Sequence, residues 1–327
     1  MITVLTDPVP VGRYYFTEFL KKLGRGVKQL INPRQSSFKR LKPKFRGHYA
    51  VTRSLIEGLE KIQYPYVYNP KRLKDVHEIV VVLSGRDALR QAIAWKREGR
   101  IDHLLAGPNL MILPSQYTNL WGSEVDLCLM PSQWISKVYQ ADLPSLHGRC
   151  AIWPAGVDTK YWKPFQGKVH TKIILFYVKE YDGPFNNINS YIKVVEMMGY
   201  KVEYIHAGQY SPEQYREALK RCEFMVGFSH VDSQSLAWAE AWAMDKPTLL
   251  WKNTSIILQG KSVDCSTAPW LTDSTGYFFS NINEFTVLFH QISTNQLIFT
   301  PRQWVIENMS DEVCAKLLLK LAFNLSS

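Results

Sequence analysis

The 327-residue sequence lacks several features that would place it outside the ordinary globular class. Its five cysteines are scattered and never occur in Cys-x-x-Cys spacing, which argues against a disulfide framework and against a zinc site. Its longest apolar stretches, such as residues 79–83, fall far short of the ~18 residues that span a bilayer. Residues 1–10 lack the charged head and the long apolar run of a secretory signal. We therefore expect a soluble or peripheral protein in a reducing, cytoplasmic compartment.

Composition excludes disorder and favours two domains. Apolar residues make up 46% of the chain and charged residues 21%, which is an ordinary globular mixture. At roughly 100–200 residues per domain, the length corresponds to two domains, each large enough to bury its own core.

Positive charge is concentrated at the start of the chain. The first 50 residues contain eleven Lys and Arg against two acids, so they carry +9 of the total net charge of +10. Six of these basic residues lie in a proline-punctuated segment without periodicity: Arg34, Lys39, Arg40, Lys42, Lys44 and Arg46. This pattern predicts a charged loop that attracts phosphates or an anionic membrane face, and the alternative is a solvated loop.

Short apolar runs alternate with helical patterns through the chain, and the alternation restarts after residue 164. The predicted strands of the first half are residues 2–6, 64–68, 77–83, 101–106, 125–130 and 150–153. Those of the second half are residues 172–178, 201–206, 223–228, 248–251 and 276–279. Ser211, Pro212 and Gln214 form a predicted capping box at one helix start. The pattern predicts two doubly wound α/β domains, residues 1–165 and 166–300, followed by one helix from residue 301 or 303 to 323 that packs on one or both of them.

The segment from Asp232 to Pro247 leads from a strand end into a helix and on to the next strand. At this helix start we expect the N–H groups of Ser235 and Leu236 to be free to bind a phosphate. Asp232 would then lie beside the group attached to that phosphate, and Glu240, about two turns along, can accept hydrogen bonds from a sugar diol. The alternative is a helix-capping Asp and a surface Glu.

This segment resembles the retaining GT-B nucleotide-sugar glycosyltransferases, in particular family 4. Glu240-Ala-Trp-Ala-Met-Asp-Lys-Pro247 is similar to that family's Glu-Ala-Met-Ala-x-Gly-x-Pro run, which follows an acid and seven residues. Trp153-Pro-Ala-Gly-Val-Asp158, continuing to Pro164, is similar to its Pro-Asn-Gly-Val-Asp…Phe-x-Pro segment. Residues 275–285 also look like the family's glycine-containing strand and acidic helix start. The resemblance is clear from about residue 127 to residue 291 and faint before that.

The resemblance implies a GT-B fold, in which two Rossmann-like domains face each other across a cleft and a C-terminal helix packs back. It implies that Glu240 holds the nucleotide ribose. Asp232 would take the place of the family's first Glu beside the donor sugar, although Asp is one methylene shorter. Lys179, which with Asp232 would be catalytic, stands at the family's Arg-like position near the diphosphate, whereas Phe185 occupies the Lys-like position. The remaining donor-side candidates are Gly12, Arg13, His230, Ser233, Gln234, Ser235 and Leu236.

The same resemblance places the acceptor on the first domain. Asn109 is a candidate to hydrogen-bond the acceptor, together with the six basic residues of the charged loop. The family's strand-end His has no counterpart here, because Gly107 occupies its place and His103, four positions away, reads as a strand residue. No Asp-x-Asp metal signature is apparent, so we expect a metal-independent enzyme whose only co-substrate is a nucleotide sugar, UDP- or GDP-linked.

The leading functional hypothesis is therefore transfer of a sugar, with retention, to an anionic or membrane-linked glycan of the lipopolysaccharide or polysaccharide type. The partners would be a nucleotide-sugar donor, that glycan and an anionic membrane surface, with the protein peripheral on the membrane's inner face. Two alternatives remain open: a glycosyltransferase that acts on modified DNA, and a non-catalytic nucleotide- or glycan-binding protein with the same fold.

Overall fold

A computed structural model describes residues 1–7, 14, 47–111, 113–165, 172–179 and 187–325. The chain divides into two compact units. The first comprises residues 1–131, 139–156 and 311–327, and the second comprises residues 132–138 and 157–310. Along the chain the first unit thus reaches residue 156, whereas the sequence suggested a boundary at 165. No described helix is long and apolar enough to cross a membrane.

The first unit is built on a six-stranded parallel sheet with the strand order β2-β1-β3-β4-β5-β6. Its strands are β1 (Ile2–Leu5), β2 (Tyr66–Tyr68), β3 (Ile79–Ser84), β4 (His103–Asn109), β5 (Leu127–Met130) and β6 (Cys150–Ile152). Its helices include α1 (His48–Lys61) and α2 (Arg86–Arg97), and α3 (Gln133–Asp142) begins in the second unit. Because β2 and β3 lie on opposite sides of β1, the strand order reverses between β1 and β3.

Burial explains why these segments fold as they do. All six residues of β3 are buried, as expected for a Val/Ile run covered on both faces of a parallel sheet. Helix α2 buries Leu89, Ala92 and Ile93, whose spacing of three and four residues forms one apolar stripe.

The second unit contains a five-stranded parallel sheet with the order β13-β10-β9-β7-β8. These strands are β7 (Ile173–Val178), β8 (Lys201–His206), β9 (Met225–Phe228), β10 (Thr248–Trp251) and β13 (Gly276–Phe279). The helices are α4 (Ile188–Met197), α5 (Pro212–Arg221), α6 (Leu236–Ala243), α7 (Ile282–Ser293) and α8 (Pro301–Asn308). Helix α5 starts with the predicted capping box, in which Ser211 and Gln214 each bond the other's backbone N–H.

A separate antiparallel hairpin, β11 (Ser255–Leu258) and β12 (Lys261–Asp264), was not predicted from the sequence. Its two turn residues, Gln259 and Gly260, both have positive φ, which is the geometry of a type I′ turn. Gln is not among the residues that usually mark this turn, so the sequence signal was weak.

The prediction of one C-terminal helix was wrong, because the helix is broken into α8 and α9 (Asp311–Phe323). Met309 leaves the helical conformation, with φ −143° and ψ 19°, and its carbonyl accepts the N–H of Val157 at 2.9 Å instead of continuing the helix. Helix α8 belongs to the second unit and α9 to the first.

A buried ionic cluster holds α9 against α1 within the first unit. Asp311 is fully buried, and its two oxygens accept hydrogen bonds from Arg53 at 2.8 and 3.1 Å and from Lys61 at 2.9 Å. The two helices approach closely at Gly58, where a Cβ atom would come within 2.3 Å of the Asp311 carbonyl oxygen. Helix α9, which is distant from α1 in sequence, is therefore held against it by ion pairs and by close packing.

We expect Asp311→Ala to destabilise the protein by up to about 3–5 kcal/mol, because it removes the fully buried carboxylate that Arg53 and Lys61 share. Urea unfolding followed by circular dichroism measures this loss. Asp87→Ala is the matched control, since the Asp87–Arg90 pair lies on the surface with Asp87 97% exposed. Equal, small losses in both variants would contradict the role given to the cluster.

Candidate functional site

Three of the predicted donor-side residues, Lys179, His230 and Asp232, follow the carboxyl ends of β7 and β9 in the second unit. β8 lies on one side of β7 and β9 on the other, so the strand order reverses here. Ligands of open α/β sheets bind at such a reversal, outside the carboxyl ends of the strands. The backbone N–H of Lys179, just after β7, donates to the carbonyl of Phe228 at the end of β9 at 2.8 Å, which brings the two strand ends together.

The two residues predicted to be catalytic are in direct contact. Lys179 Nζ lies 3.2 Å from Asp232 Oδ2 and also donates to the Val231 carbonyl at 3.2 Å. The lysine side chain is 34% exposed and the aspartate 17% exposed, so the pair lies at the edge of the solvent-accessible surface. The lysine therefore neutralises the aspartate and still presents part of its charge outward.

The prediction that the Ser235 N–H is free for an anion was wrong. It donates instead to Asp232 Oδ1 at 3.1 Å, and the Ser235 hydroxyl donates to the Thr267 carbonyl. Ser235 adopts a left-handed conformation with φ 74°, and this geometry aims its N–H back at the carboxylate. Helix α6 begins one residue later, so its first N–H groups, those of Leu236 and Ala237, have no acceptor in a preceding helical turn.

The loop from β9 to α6 is fixed by hydrogen bonds from neighbouring segments. The Asp232 N–H donates to the Ser266 carbonyl at 2.9 Å, and Trp134 Nε1 donates to the Asp232 carbonyl at 2.9 Å. Asn253 Nδ2 donates to the His230 carbonyl at 2.8 Å. These contacts leave the carboxylate of Asp232 with little freedom to move.

His230 contributes a second polar group to this loop. Its Nδ1 atom is buried, and the part of the chain that the structure describes offers it no hydrogen-bond partner. A buried polar atom left without a partner is costly, so a ligand that reaches it gains a hydrogen bond.

Close packing sets the position of α6. A Cβ atom on Gly227 would lie 2.5 Å from the Leu250 side chain and 2.7 Å from the Trp238 ring, so only glycine fits at this point of β9. Trp238 and Trp242 are fully buried and donate through Nε1 to Thr267 and Thr248, respectively. The tryptophans of this helix therefore form core contacts.

Glu240 lies on the half-buried face of α6, near a group of tyrosines that the sequence analysis did not identify. Burial is the main cause that raises the pKa of Tyr177, and the neighbouring Tyr210 and the charges of Asp232 and Glu240 raise it further. Burial also raises the pKa of Tyr215, again with a contribution from Glu240. These phenols stay protonated near neutral pH. Side chains alternate between the two faces of a strand, so Tyr177 of β7 points to the face opposite to Phe176. This alternation was the sequence signal that could have identified Tyr177.

The other candidates are distributed as follows. Ser233 is exposed, whereas Gln234 is only 5% exposed. Asn109 ends β4 in the first unit, and His103 starts that strand, as predicted for a strand residue. Gly12, Arg13, Phe185 and the basic residues Arg34, Lys39, Arg40, Lys42, Lys44 and Arg46 lie outside the described residues. Within the described ranges, no three His, Cys, Asp or Glu side chains converge to hold a metal ion.

Comparison with known proteins gives structural matches only. Neither the family models nor the curated sequences match this chain. The fold is similar to the lipopolysaccharide outer core galactosyltransferase WaaB in its apo form, with a TM-score of 0.53, 12% identity and 99% of both chains covered. It is also similar to the catalytic domain of starch synthase IV from Arabidopsis thaliana bound to ADP and acarbose, with a TM-score of 0.54, 9% identity and coverage of 88% and 80%.

A third similar structure is sucrose-phosphate synthase from Thermosynechococcus elongatus, with a TM-score of 0.50, 11% identity and coverage of 100% and 99%. Together with the two parallel sheets, these matches confirm the predicted α/β fold of the GT-B class, with two Rossmann-like units. At such identities the likeness concerns the fold.

Proposed function

We propose that this protein is a glycosyltransferase that takes a sugar from a nucleotide-diphosphate donor bound at the carboxyl ends of β7 and β9. The observation that carries the proposal is the contact of Lys179 with Asp232 beside the start of α6, where the strand order reverses. Glu240 lies further along α6, and its charge, like that of Asp232, acts on Tyr177 of β7. The solved structures with this fold that are named above include two glycosyl-group transferases, one of them bound to ADP, which supports the same class of reaction.

In the proposed reaction, the bond between the donor's anomeric carbon and the diphosphate oxygen breaks as an acceptor hydroxyl bonds to that carbon. The negative charge that develops on the leaving diphosphate is stabilised by Lys179 and by the first N–H groups of α6. The acceptor proton passes to an oxygen of the leaving phosphate, so the step needs no separate base. Such transfer on one face of the sugar retains the anomeric configuration.

The proposed roles of the two acids differ. Glu240, among the protonated tyrosines, would accept hydrogen bonds from the ribose hydroxyls of a UDP- or GDP-linked donor. Asp232, fixed by Ser235 and Lys179, would lie beside the donor sugar near the anomeric carbon. The resemblance to family 4 and the retaining stereochemistry rest on the order of the two sequence motifs.

The acceptor is proposed to be an anionic or membrane-linked glycan of the lipopolysaccharide or polysaccharide type. The support is the net charge of +9 in the first 50 residues, which attracts phosphate-rich glycans and anionic lipid surfaces. The WaaB structure is that of an enzyme of lipopolysaccharide outer core synthesis, which agrees with this acceptor class. By this account the protein works at the cytoplasmic face of a membrane.

Glu240→Ala is expected to weaken nucleotide binding by about tenfold to a hundredfold, because it removes hydrogen bonds to a charged acceptor. A thermal-shift and calorimetry panel with UDP, GDP, ADP and CMP first identifies the nucleotide, and the variant is then titrated with it. Glu196→Gln on the exposed side of α4 is the control and should bind as the wild type does. If the two variants bound the nucleotide equally well, Glu240 would not be a ribose ligand.

Asp232→Asn should separate binding from chemistry. The Asn amide keeps an oxygen that accepts the Ser235 N–H, but it carries no charge. Lys179 is then available to the diphosphate, so nucleotide affinity should be unchanged or higher. Transfer, measured as nucleotide release from UDP-glucose, UDP-galactose, UDP-N-acetylglucosamine and GDP-mannose, should fall about 100-fold, because the variant removes the negative charge beside the anomeric carbon, where positive charge develops as the bond to the diphosphate breaks. Wild-type turnover in Asp232→Asn would mean that this carboxylate only caps α6.

The predicted charged loop is tested by replacing its six basic residues, Arg34, Lys39, Arg40, Lys42, Lys44 and Arg46, with Glu. Binding to vesicles that contain anionic phospholipid should be lost at low salt, since about 1 kcal/mol per basic residue is removed. Nucleotide binding serves as the folding control. Unchanged vesicle binding and unchanged transfer would remove the support for an anionic acceptor.

A further inference from the structure

Two cysteines that are far apart in the sequence lie side by side in the first unit. Cys128 of β5 and Cys150 of β6 are directly opposite each other in the register of these parallel strands. Residues paired in this way project from the same face of a sheet, and the Cys128 thiol is hydrogen-bonded to the sulfur of Cys150. The spacing of the five cysteines in the sequence argues against a disulfide framework, yet the fold brings this pair of thiols into contact.

The spacing of the two strands permits a disulfide between these thiols. Adjacent strands of a sheet lie about 4.8 Å apart, and disulfides form where the two Cα atoms are about 4.4–6.8 Å apart. Both cysteines are free thiols in this structure. Rotation of the two side chains is therefore enough to join the sulfurs, and the strands can keep their places.

The two thiols differ in access and in protonation. Cys128 is fully buried, whereas Cys150 is half-buried. The hydrogen bond to Cys150, and then burial, raise the pKa of the Cys128 thiol, although the positive charge of Arg149 acts in the opposite direction. A cysteine reacts as its thiolate, and access to solvent decides which thiol meets a reagent first. Cys150 is therefore the first thiol to react, and Cys128 lies where it can attack the product.

The segment between these two cysteines reaches the candidate donor site. It runs from residue 129 to residue 149 and contains α3, whose Trp134 Nε1 donates to the Asp232 carbonyl. Burial, and then the charges of the two thiols, raise the pKa of Tyr139, so α3 also lies close to the cysteine pair. A cross-link between the cysteines would therefore restrain a segment that helps to fix the loop of Asp232.

We propose that Cys128 and Cys150 form a reversible modification site that undergoes thiol–disulfide exchange with glutathione disulfide. The Cys150 thiolate attacks one sulfur of the glutathione disulfide, forms a mixed disulfide and releases one glutathione thiolate. Cys128 loses its proton to solvent, attacks the Cys150 sulfur and releases the second glutathione thiolate. The two protein thiols are thus oxidised to one disulfide, and the glutathione disulfide is reduced to two glutathione molecules, which take up the two protons that the cysteines lose. This inference goes beyond the proposed function and does not depend on it.

The experiment uses the folded full-length protein, which is incubated with glutathione disulfide, alkylated, digested and analysed by mass spectrometry. The Cys128–Cys150 disulfide should form about tenfold faster than any product of the buried Cys222, because exchange requires access to the thiol, and dithiothreitol should reverse it. In Cys128→Ser the thiol that resolves the mixed disulfide is missing, so a glutathione adduct should accumulate on Cys150. In Cys150→Ser the accessible thiol is missing, so Cys128 should stay unmodified.

Cys265→Ser is the matched control, because Cys265 is also half-buried but lies in the second unit, and it should leave formation of the disulfide unchanged. Circular dichroism shows whether each variant is folded, and the comparison of Cys150 with Cys222 in the wild type needs no variant. The inference is overturned if the folded wild type forms no disulfide between Cys128 and Cys150 or if Cys150 reacts no faster than Cys222. A folded Cys128→Ser that holds no glutathione on Cys150 would overturn it as well.

Discussion

The ion pair between Lys179 and Asp232 is the contact on which the proposed chemistry depends. It joins the ends of two neighbouring strands to the start of α6, because Asp232 binds Lys179 with one oxygen and the Ser235 N–H with the other. A carboxylate held in this way has a fixed position, and a partly exposed lysine beside it keeps positive charge where a diphosphate can reach it. Preorganised charges of this kind stabilise a leaving anion without reorganising during the reaction.

The rest of the second unit maintains that arrangement. Glycine at position 227 lets Trp238 pack directly on β9, which sets the height of α6 above the sheet. Hydrogen bonds from Asp232 to Ser266 and from Asn253 to His230 fix the loop that leads into the helix. Core packing therefore determines the geometry of the site as much as its charged residues do. The same packing explains why α6, with its Ala and Trp residues, is so apolar.

Sequence reasoning predicted the alternation of strands and helices, because apolar runs determine it, and local motifs singled out Lys179 and Asp232, which are in contact. It failed where a backbone conformation or a distant contact decides the outcome. The left-handed Ser235 turns its own N–H to Asp232, and Met309 ends a helix by bonding Val157. The hydrogen bond between Ser84 Oγ and His48 Nε2 could not be predicted either, since the fold brings together two residues that are far apart in sequence.

The most direct measurement is a crystal structure of the full chain with the nucleotide diphosphate that the binding panel selects. The account predicts the diphosphate at Lys179 and the Leu236 N–H, with both ribose hydroxyls on the Glu240 carboxylate. A nucleotide bound elsewhere on the protein, or a Glu240 side chain turned to solvent in that complex, would contradict the central claim and leave only the fold established.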